Sequence, residues 1–323
     1  MVNIDKKQIN QIIGISIFFI LVLFFVIKKS LFLSYSNTVL GKLFAILLII
    51  AYSYIHIGAG IFILIFVIIF YNTYKNNQDA SNADKNNYLN GIDCIYWINL
   101  KRSTDRRDKM ETMFLDPVFS GKKIHRIEAV DGKNDPVYDQ LIMKTKRNTK
   151  LEYACLLSHL NAIKTFSESS CKTALIFEDD VTLEFKQYWK KSLDKIIKDA
   201  PANWEIIQLC YNTTRTLTDT YTLNNYQINN YGGIACMAAY IINVNAAKKF
   251  INGTYNPVTK KYKLFDYHTH EADHYLYKCL RTYTYKYPYF IYPTDNNSTL
   301  HPEDLSSHVR SKLQIKKMYE SMK

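Results

Sequence analysis

Two long stretches without a charged residue, 12–27 (IIGISIFFILVLFFVI) and 43–71, constrain this chain more than any other feature. A helix that crosses a membrane needs about 20 apolar residues, with a lower limit near 17. The first stretch reaches that length once residues 9–11 are added, and the second exceeds it, so spans at about 9–27 and 45–70 are expected. Lys28-Lys29 follows the first stretch and no small-residue cleavage site does, which argues against a removable signal peptide. The expectation is a helical hairpin forming a membrane anchor over 1–73. Its connector carries Lys28, Lys29 and Lys42 with no acid, whereas Lys75, Asp79, Asp84 and Lys85 nearly cancel. The positive-inside rule then puts the connector in the cytosol and the C-terminal part in a lumen or outside the cell.

Residues 74–91 (YKNNQDASNADKNNYLNG) are polar and read as a stem. From 92 to 323 strand-like and helix-like patterns alternate. Strand-like runs are 93–100 (DCIYWINL), 123–130, 173–177 (TALIF), 204–209 and 234–242. Helical spacing marks 103–114, 152–168, 185–199, 245–251 and 272–280. Such alternation implies an α/β domain with a mainly parallel sheet flanked by helices. The formal net charge is +12, but the cations are scattered, with no basic helix and no aromatic RNA-binding motif, so no nucleic-acid partner is expected. A diffuse positive surface suits phosphorylated substrates and anionic membranes. The six cysteines show no CxxC spacing, and the sequence leaves their pairing open.

The acids Glu178-Asp179-Asp180 stand at the end of an apolar strand, in TALIFEDDV. Ligands of open α/β sheets bind at the carboxyl ends of strands. Adjacent carboxylates repel one another, and a cation among them relieves that repulsion. Mg²⁺ or Mn²⁺ held by one or two carboxylates and diphosphate oxygens fits the pattern; a solvated acidic turn is the alternative. Asn99 and the cations Arg102, Arg106 and Arg107 follow the first strand, where guanidinium groups suit a diphosphate. Asp131 and Gly132 end the next strand, able to meet a ribose or base. Residues 266–274 (DYHTHEADH) contain His270-Glu271 and His274 at HExxH spacing, which raises a zinc hydrolase as an alternative.

Taken in order, INLKRSTDRR (98–107), RIEAVDGK (126–133), EYACLLSHLNAI (152–163), ALIFEDDV (174–181), WEIIQL (204–209), AAYIINVNAAKKF (238–250) and EADHYLY (271–277) resemble glycosyltransferase family 25. That family includes lipopolysaccharide transferases and collagen galactosyltransferases. The resemblance implies a GT-A fold, a UDP-sugar donor, Mn²⁺ dependence and inversion at the transferred hexose, galactose or glucose. It assigns Glu178 and Asp180, with Asp179 beside them, to the metal and donor motif, and Ser158-His159 to the donor phosphates. Asp273 is the implied base or second acidic anchor, with Glu271 as its rival. Here Glu271-Ala272 stands where the family more often has a Pro-Val-like pair. A glycan, glycolipid or collagen-like protein is the implied acceptor, and a catalytically silent sugar-nucleotide-binding module is the alternative. Sequons at Asn212, Asn252, Asn296 and Asn297 fit a lumenal domain.

Overall fold

The computed structural model describes residues 88–142, 147–213, 225–229, 234–294 and 305–321, with a few isolated positions nearer the N-terminus. The chain divides into two units, Met1–Lys85 and Asn86–Lys323. The expected membrane hairpin is corrected: among the described residues no helix is long and apolar enough to cross a membrane. Residues 9–27 lie outside the described residues. Of 45–70 only Ile46, Leu47, Ile50, Ile61, Leu64 and Ile65 fall within them, each at a helical position.

In the second unit, strand β1 (Cys94–Asn99) is buried along its whole length. Its alternate side chains enter two different cores: Ile95 and Trp97 on one face, Cys94, Tyr96 and Ile98 on the other. A strand covered on both faces reads as a continuous apolar run rather than an alternating one, which is why CIYWI looks as it does. The other strands are β2 (Lys123–Glu128), β3 (Thr173–Glu178), β4 (Ile206–Gln208), β5 (Asn212–Thr213), β6 (Tyr226–Ile228), β7 (Ile234–Ala235), β8 (Ala239–Asn243), β9 (Tyr255–Asn256), β10 (Lys261–Tyr262) and β11 (Thr282–Tyr285). The helices are α1 (Thr104–Met113), α2 (Lys150–Ser167), α3 (Leu193–Asp199), α4 (Val244–Thr254), α5 (Ala272–Cys279) and α6 (Leu305–Glu320).

Seven strands form one sheet in the order β2-β1-β3-β8-β4-β11-β6. β1, β2, β3, β4 and β11 run the same way, while β8 and β6 run against their neighbours. The sheet is therefore mixed, with a parallel majority, as the alternating pattern implied. Helices α2, α4 and α5 cover one face, and α1, α3 and α6 supply residues to the core on the other. α2 is the best specified helix. Thr149 caps it, accepting from the Glu152 backbone N–H while the Glu152 side chain accepts from the Thr149 N–H.

Two segments depart from the sequence reading. The helical pattern over 185–199 is realised as a 3₁₀ turn (Lys186–Tyr188) followed by α3, because Ser192 starts a new helix by accepting the Lys195 N–H. The apolar run 234–242 breaks between β7 and β8 at Cys236, whose φ of 85 lies in the left-handed region. Three bonds hold Cys236 there: its N–H donates to Asp273, and its carbonyl accepts from Gln208 and Tyr277. Cys94 and Cys171 form a disulfide, Cα atoms 6.1 Å apart, joining the start of β1 to the turn before β3.

Packing begins ahead of position 92, inside the segment read as a stem. Leu89 is fully buried, and the Tyr88 hydroxyl donates to the Trp189 carbonyl. Leu89→Ala is therefore expected to destabilise the folded unit by about 2–5 kcal/mol in urea unfolding, as a core truncation does. A residue in a solvated stem would leave the midpoint unchanged.

Candidate active site

The carboxyl ends of β1, β2 and β3 open onto a cleft of about 280 Å³, closed on one side by α2. It is lined by Arg102, Arg106, Lys133, His159 and the acids Glu178, Asp179 and Asp180, among others. On the other side of β3 the Glu178 N–H donates to the carbonyl of Ala238, the residue before β8. The three neighbouring acids meet three different environments.

Glu178, the last residue of β3, accepts from His159 Nε2 at 3.0 Å. A carboxylate only accepts, so His159 carries a proton on Nε2. Its Nδ1 lies 3.2 Å from the Tyr240 hydroxyl, and both rings are buried. Asp179 accepts from Arg106 Nη1 at 2.7 Å and from Asn99 Nδ2 at 2.7 Å. Asn99 is itself held from the other end, its Oδ1 accepting from Arg126 at 3.0 Å and Arg107 at 3.4 Å. Asp180 is the least satisfied: its Oδ1 is buried with no hydrogen-bond partner among the described residues, and its Oδ2 lies 3.7 Å from Arg106. Burial, then the charge on Glu178 and on Asp179, push its carboxyl up to about 7 against the pull of Arg106.

The remaining residues singled out from sequence fall into two groups. Arg102 and Asp131 pair with each other at 2.8 Å, and Asp131 also accepts from the Lys133 N–H and from Asn134. Arg102, the first of these partners, holds the Asp131 carboxyl well below the usual range. Ser158 ties α2 to the loop after β2, accepting from the Val130 N–H and donating to the Ala154 carbonyl. That loop passes so close that a Cβ on Gly132 would lie 2.7 Å from Leu151, which explains the glycine.

Asp273 and Glu271 are absent from the described cleft lining. Asp273 sits in the first turn of α5, accepting from the Cys236 N–H at 2.9 Å and the His274 N–H at 2.8 Å. Burial raises its carboxyl, those two bonds lower it, and the nearby charge of Glu178 raises it further. Glu271 lies 3.1 Å from His274 Nδ1 at the entry to α5. The HExxH spacing does not become a zinc site. α5 starts at Ala272, so His270 is outside the helix, with Nε2 donating to the Phe265 carbonyl and Nδ1 at 3.0 Å from the Tyr153 hydroxyl. Both ring nitrogens are engaged, and the first ligand of that motif is lost.

Sequence reasoning missed Cys155, Tyr240, Arg126 and Lys133. Cys155 carries a usable signal, since it precedes His159 by one helical turn and so shares its face. Tyr240 carries none, being one more apolar position of a buried strand.

Known proteins match this architecture. The family described as glycosyltransferase family 25 (LPS biosynthesis protein) matches residues 92–264. Human procollagen galactosyltransferase 2 is 33% identical over 135 residues, covering 37% of this chain and 21% of its own length. Procollagen galactosyltransferase 1-B of Xenopus laevis is 26% identical over 238 residues, covering 63% of this chain and 36% of its own. The probable inactive glycosyltransferase 25 family member 3 of Bos taurus is 27% identical over 137 residues, 37% of this chain and 22% of its own. The chain belongs to glycosyltransferase family 25. It spans between about a fifth and about a third of the length of these relatives.

The raised Asp180 carboxyl links stability to pH. The folded state binds this proton more tightly than the unfolded chain, so the wild-type protein loses stability as pH rises from about 4 to about 7. Asp180→Asn removes that dependence. Its melting temperature is expected to exceed the wild-type value at pH 8 and to approach it near pH 4; equal melting temperatures at pH 8 contradict the assignment.

Proposed function

We propose that the chain transfers a hexose, galactose or glucose, from a UDP-sugar to a hydroxyl of a glycan, glycolipid or collagen-like protein, with inversion at the sugar. The observation that carries this reading is the buried Asp180 Oδ1, without a hydrogen-bond partner among the described residues, beside Glu178 in a cleft also lined by Asp179 and the cations Arg102, Arg106 and Lys133. An acid left in this condition asks for a cation. Glu178 and Asp180 fit a hard divalent ion, Mn²⁺ or Mg²⁺, as oxygen ligands. Asp179 is occupied by Arg106 and Asn99 and serves to hold Arg106 in place. Bound there, the ion would offset the negative charge that grows on the departing diphosphate. Arg106, Arg102 and Lys133 border the same cleft and supply fixed positive charge for the phosphates. Asn99 positions Asp179, Asp131 positions Arg102, and Ser158 fixes the loop that carries Lys133.

Inversion needs a carboxylate to take the acceptor proton on the face opposite the leaving group. Asp273 is favoured over Glu271, because its carboxyl is buried and raised and is near enough to feel the charge of Glu178. The names of the human and frog relatives support galactose and a collagen-like acceptor. The bovine relative's name keeps the silent module as the competing reading, against which the intact acidic trio and open cleft weigh. The Cys94–Cys171 disulfide supports a lumenal or otherwise extracytoplasmic site of action.

Turnover of UDP-galactose and UDP-glucose by the full chain, with and without Mn²⁺, tests the proposal. Asp180→Ala is expected to lower kcat/KM by at least about 100-fold, the equivalent of losing a few kcal/mol of transition-state stabilisation. A folded chain without metal-assisted affinity for any UDP-sugar overturns it.

A further inference from the structure

Cys155 and His159 stand one turn apart on α2, and both face the end of β3 where Glu178 emerges. One ligand atom from each of these three residues, a thiol sulfur, a ring nitrogen and a carboxylate oxygen, lies within 4.8 Å of the other two. All three line the cleft, so an ion arriving from solvent has a route in and a further coordination position open to it. We propose that Cys155, His159 and Glu178 bind a thiophilic divalent cation such as Zn²⁺, and that its occupancy shuts the donor site.

The donor set decides which ion this is. Mg²⁺ and Mn²⁺ prefer oxygen, whereas sulfur and imidazole nitrogen together select zinc and its soft neighbours. Three protein ligands with an open position is the composition of a tetrahedral zinc site that admits a fourth, exchangeable ligand. The electrostatic surroundings favour a cation, because Glu178, Asp273, Asp180 and Glu152 all act on the Cys155 sulfur with negative charge. On binding, the thiol releases its proton to solvent and the sulfur becomes the thiolate ligand; no electron moves.

His159 has to present a lone pair on Nε2, the atom that now donates to Glu178. That requires the proton to sit on Nδ1. Tyr240 Oη, 3.2 Å from Nδ1, can accept as well as donate, so the alternative tautomer keeps its partner. An outer partner on the second ring nitrogen is the usual device that orients a metal-bound histidine. Tyr240 is thereby a positioning residue, acting through His159.

Inhibition follows from a shared ligand and rests on the donor-site reading above. Glu178 is one of the two carboxylates assigned to the hard cation, so the two occupancies exclude each other. The binding itself is independent of that reading.

Co²⁺, a spectroscopic substitute for Zn²⁺, tests the site on the full chain. Titration is expected to produce a near-ultraviolet thiolate-to-cobalt absorption that Zn²⁺ abolishes by displacement. Cys155→Ser is expected to remove the band, Cys279→Ser to keep it, and Tyr240→Phe to weaken cobalt affinity ~10-fold, as outer-partner losses do. On the wild-type chain, Zn²⁺ is expected to protect Cys155 from alkylation, read by peptide mass spectrometry; this readout does not depend on any variant folding. Cobalt binding without a thiolate band, as at the separate Glu271, Asp273 and His274 group, overturns the proposal, and so does a band that survives Cys155→Ser. Unchanged affinity in Tyr240→Phe removes His159 from the ligand set and overturns it too. UDP-sugar affinity, measured separately without Zn²⁺, tells failure of this site from failure of the donor-site reading.

Discussion

Three adjacent carboxylates at the end of one strand set the terms for the surrounding structure. Glu178, Asp179 and Asp180 cannot all be charged at close range in a half-buried place without compensation. The fold answers each separately. The strand ends at Glu178, and in the turn that follows Arg106 and Asn99 meet Asp179. Asn99 can do this because Arg126 and Arg107 hold its other end, so the end of β1, the start of α1 and β2 are all committed to one side chain of β3. Glu178 is met by His159 from α2, and that histidine by Tyr240 from β8. Asp180 receives only a distant guanidinium and keeps an unanswered oxygen. The repulsion has been moved to one atom rather than removed.

That residual cost makes sense at a binding site and little sense elsewhere. A buried acceptor without a partner costs on the order of 1–3 kcal/mol, and native proteins retain few of them. Replacing Asp180 by an amide or an apolar residue would relieve the cost without touching the rest of the core. Under the proposed function, the partner of this acid arrives with the ligand. The same reasoning separates Asp180 from Asp131, whose Arg102 pair and backbone bonds leave it a fully employed turn residue.

Much of this was legible in the sequence wherever one-dimensional spacing carries a physical consequence. The CIYWIN and TALIF runs read as doubly covered strands because burial on both faces forbids alternation. α2 showed its helical spacing, although the Thr149 cap that starts it at Lys150, two residues before 152, was not read from the sequence. The trio at 178–180 announced itself by position at a strand end. What stayed hidden depends on pairing between distant segments. Nothing local says that β8 runs antiparallel between β3 and β4, since the direction of a buried strand leaves no mark on its composition. The break at Cys236 was equally invisible, because the left-handed turn is imposed by Asp273, Gln208 and Tyr277 from elsewhere in the fold. The HExxH match misled for a related reason: the motif presumes one helix, and α5 begins two residues after His270.

The reversed strand β8 has a functional meaning beyond topology. In an all-parallel sheet, the neighbour of β3 would end beside it and offer another carboxyl-terminal loop to the cleft. Here β8 begins there instead, so the turn from Cys236 to Ala238 that leads into the strand lies beside Glu178, whose N–H donates to the Ala238 carbonyl. That turn is tied to α5 through the Asp273 carboxylate and the Tyr277 hydroxyl. Antiparallel insertion thus brings a late segment of the chain, 271–277, toward the acids of an early one, 178–180. Asp273 senses the charge of Glu178 from behind that turn. Two carboxylates with different surroundings, one exposed to the cleft and one buried behind a turn, are what divided acid and metal roles require. The reversal of a single strand is what places them at one end of the sheet.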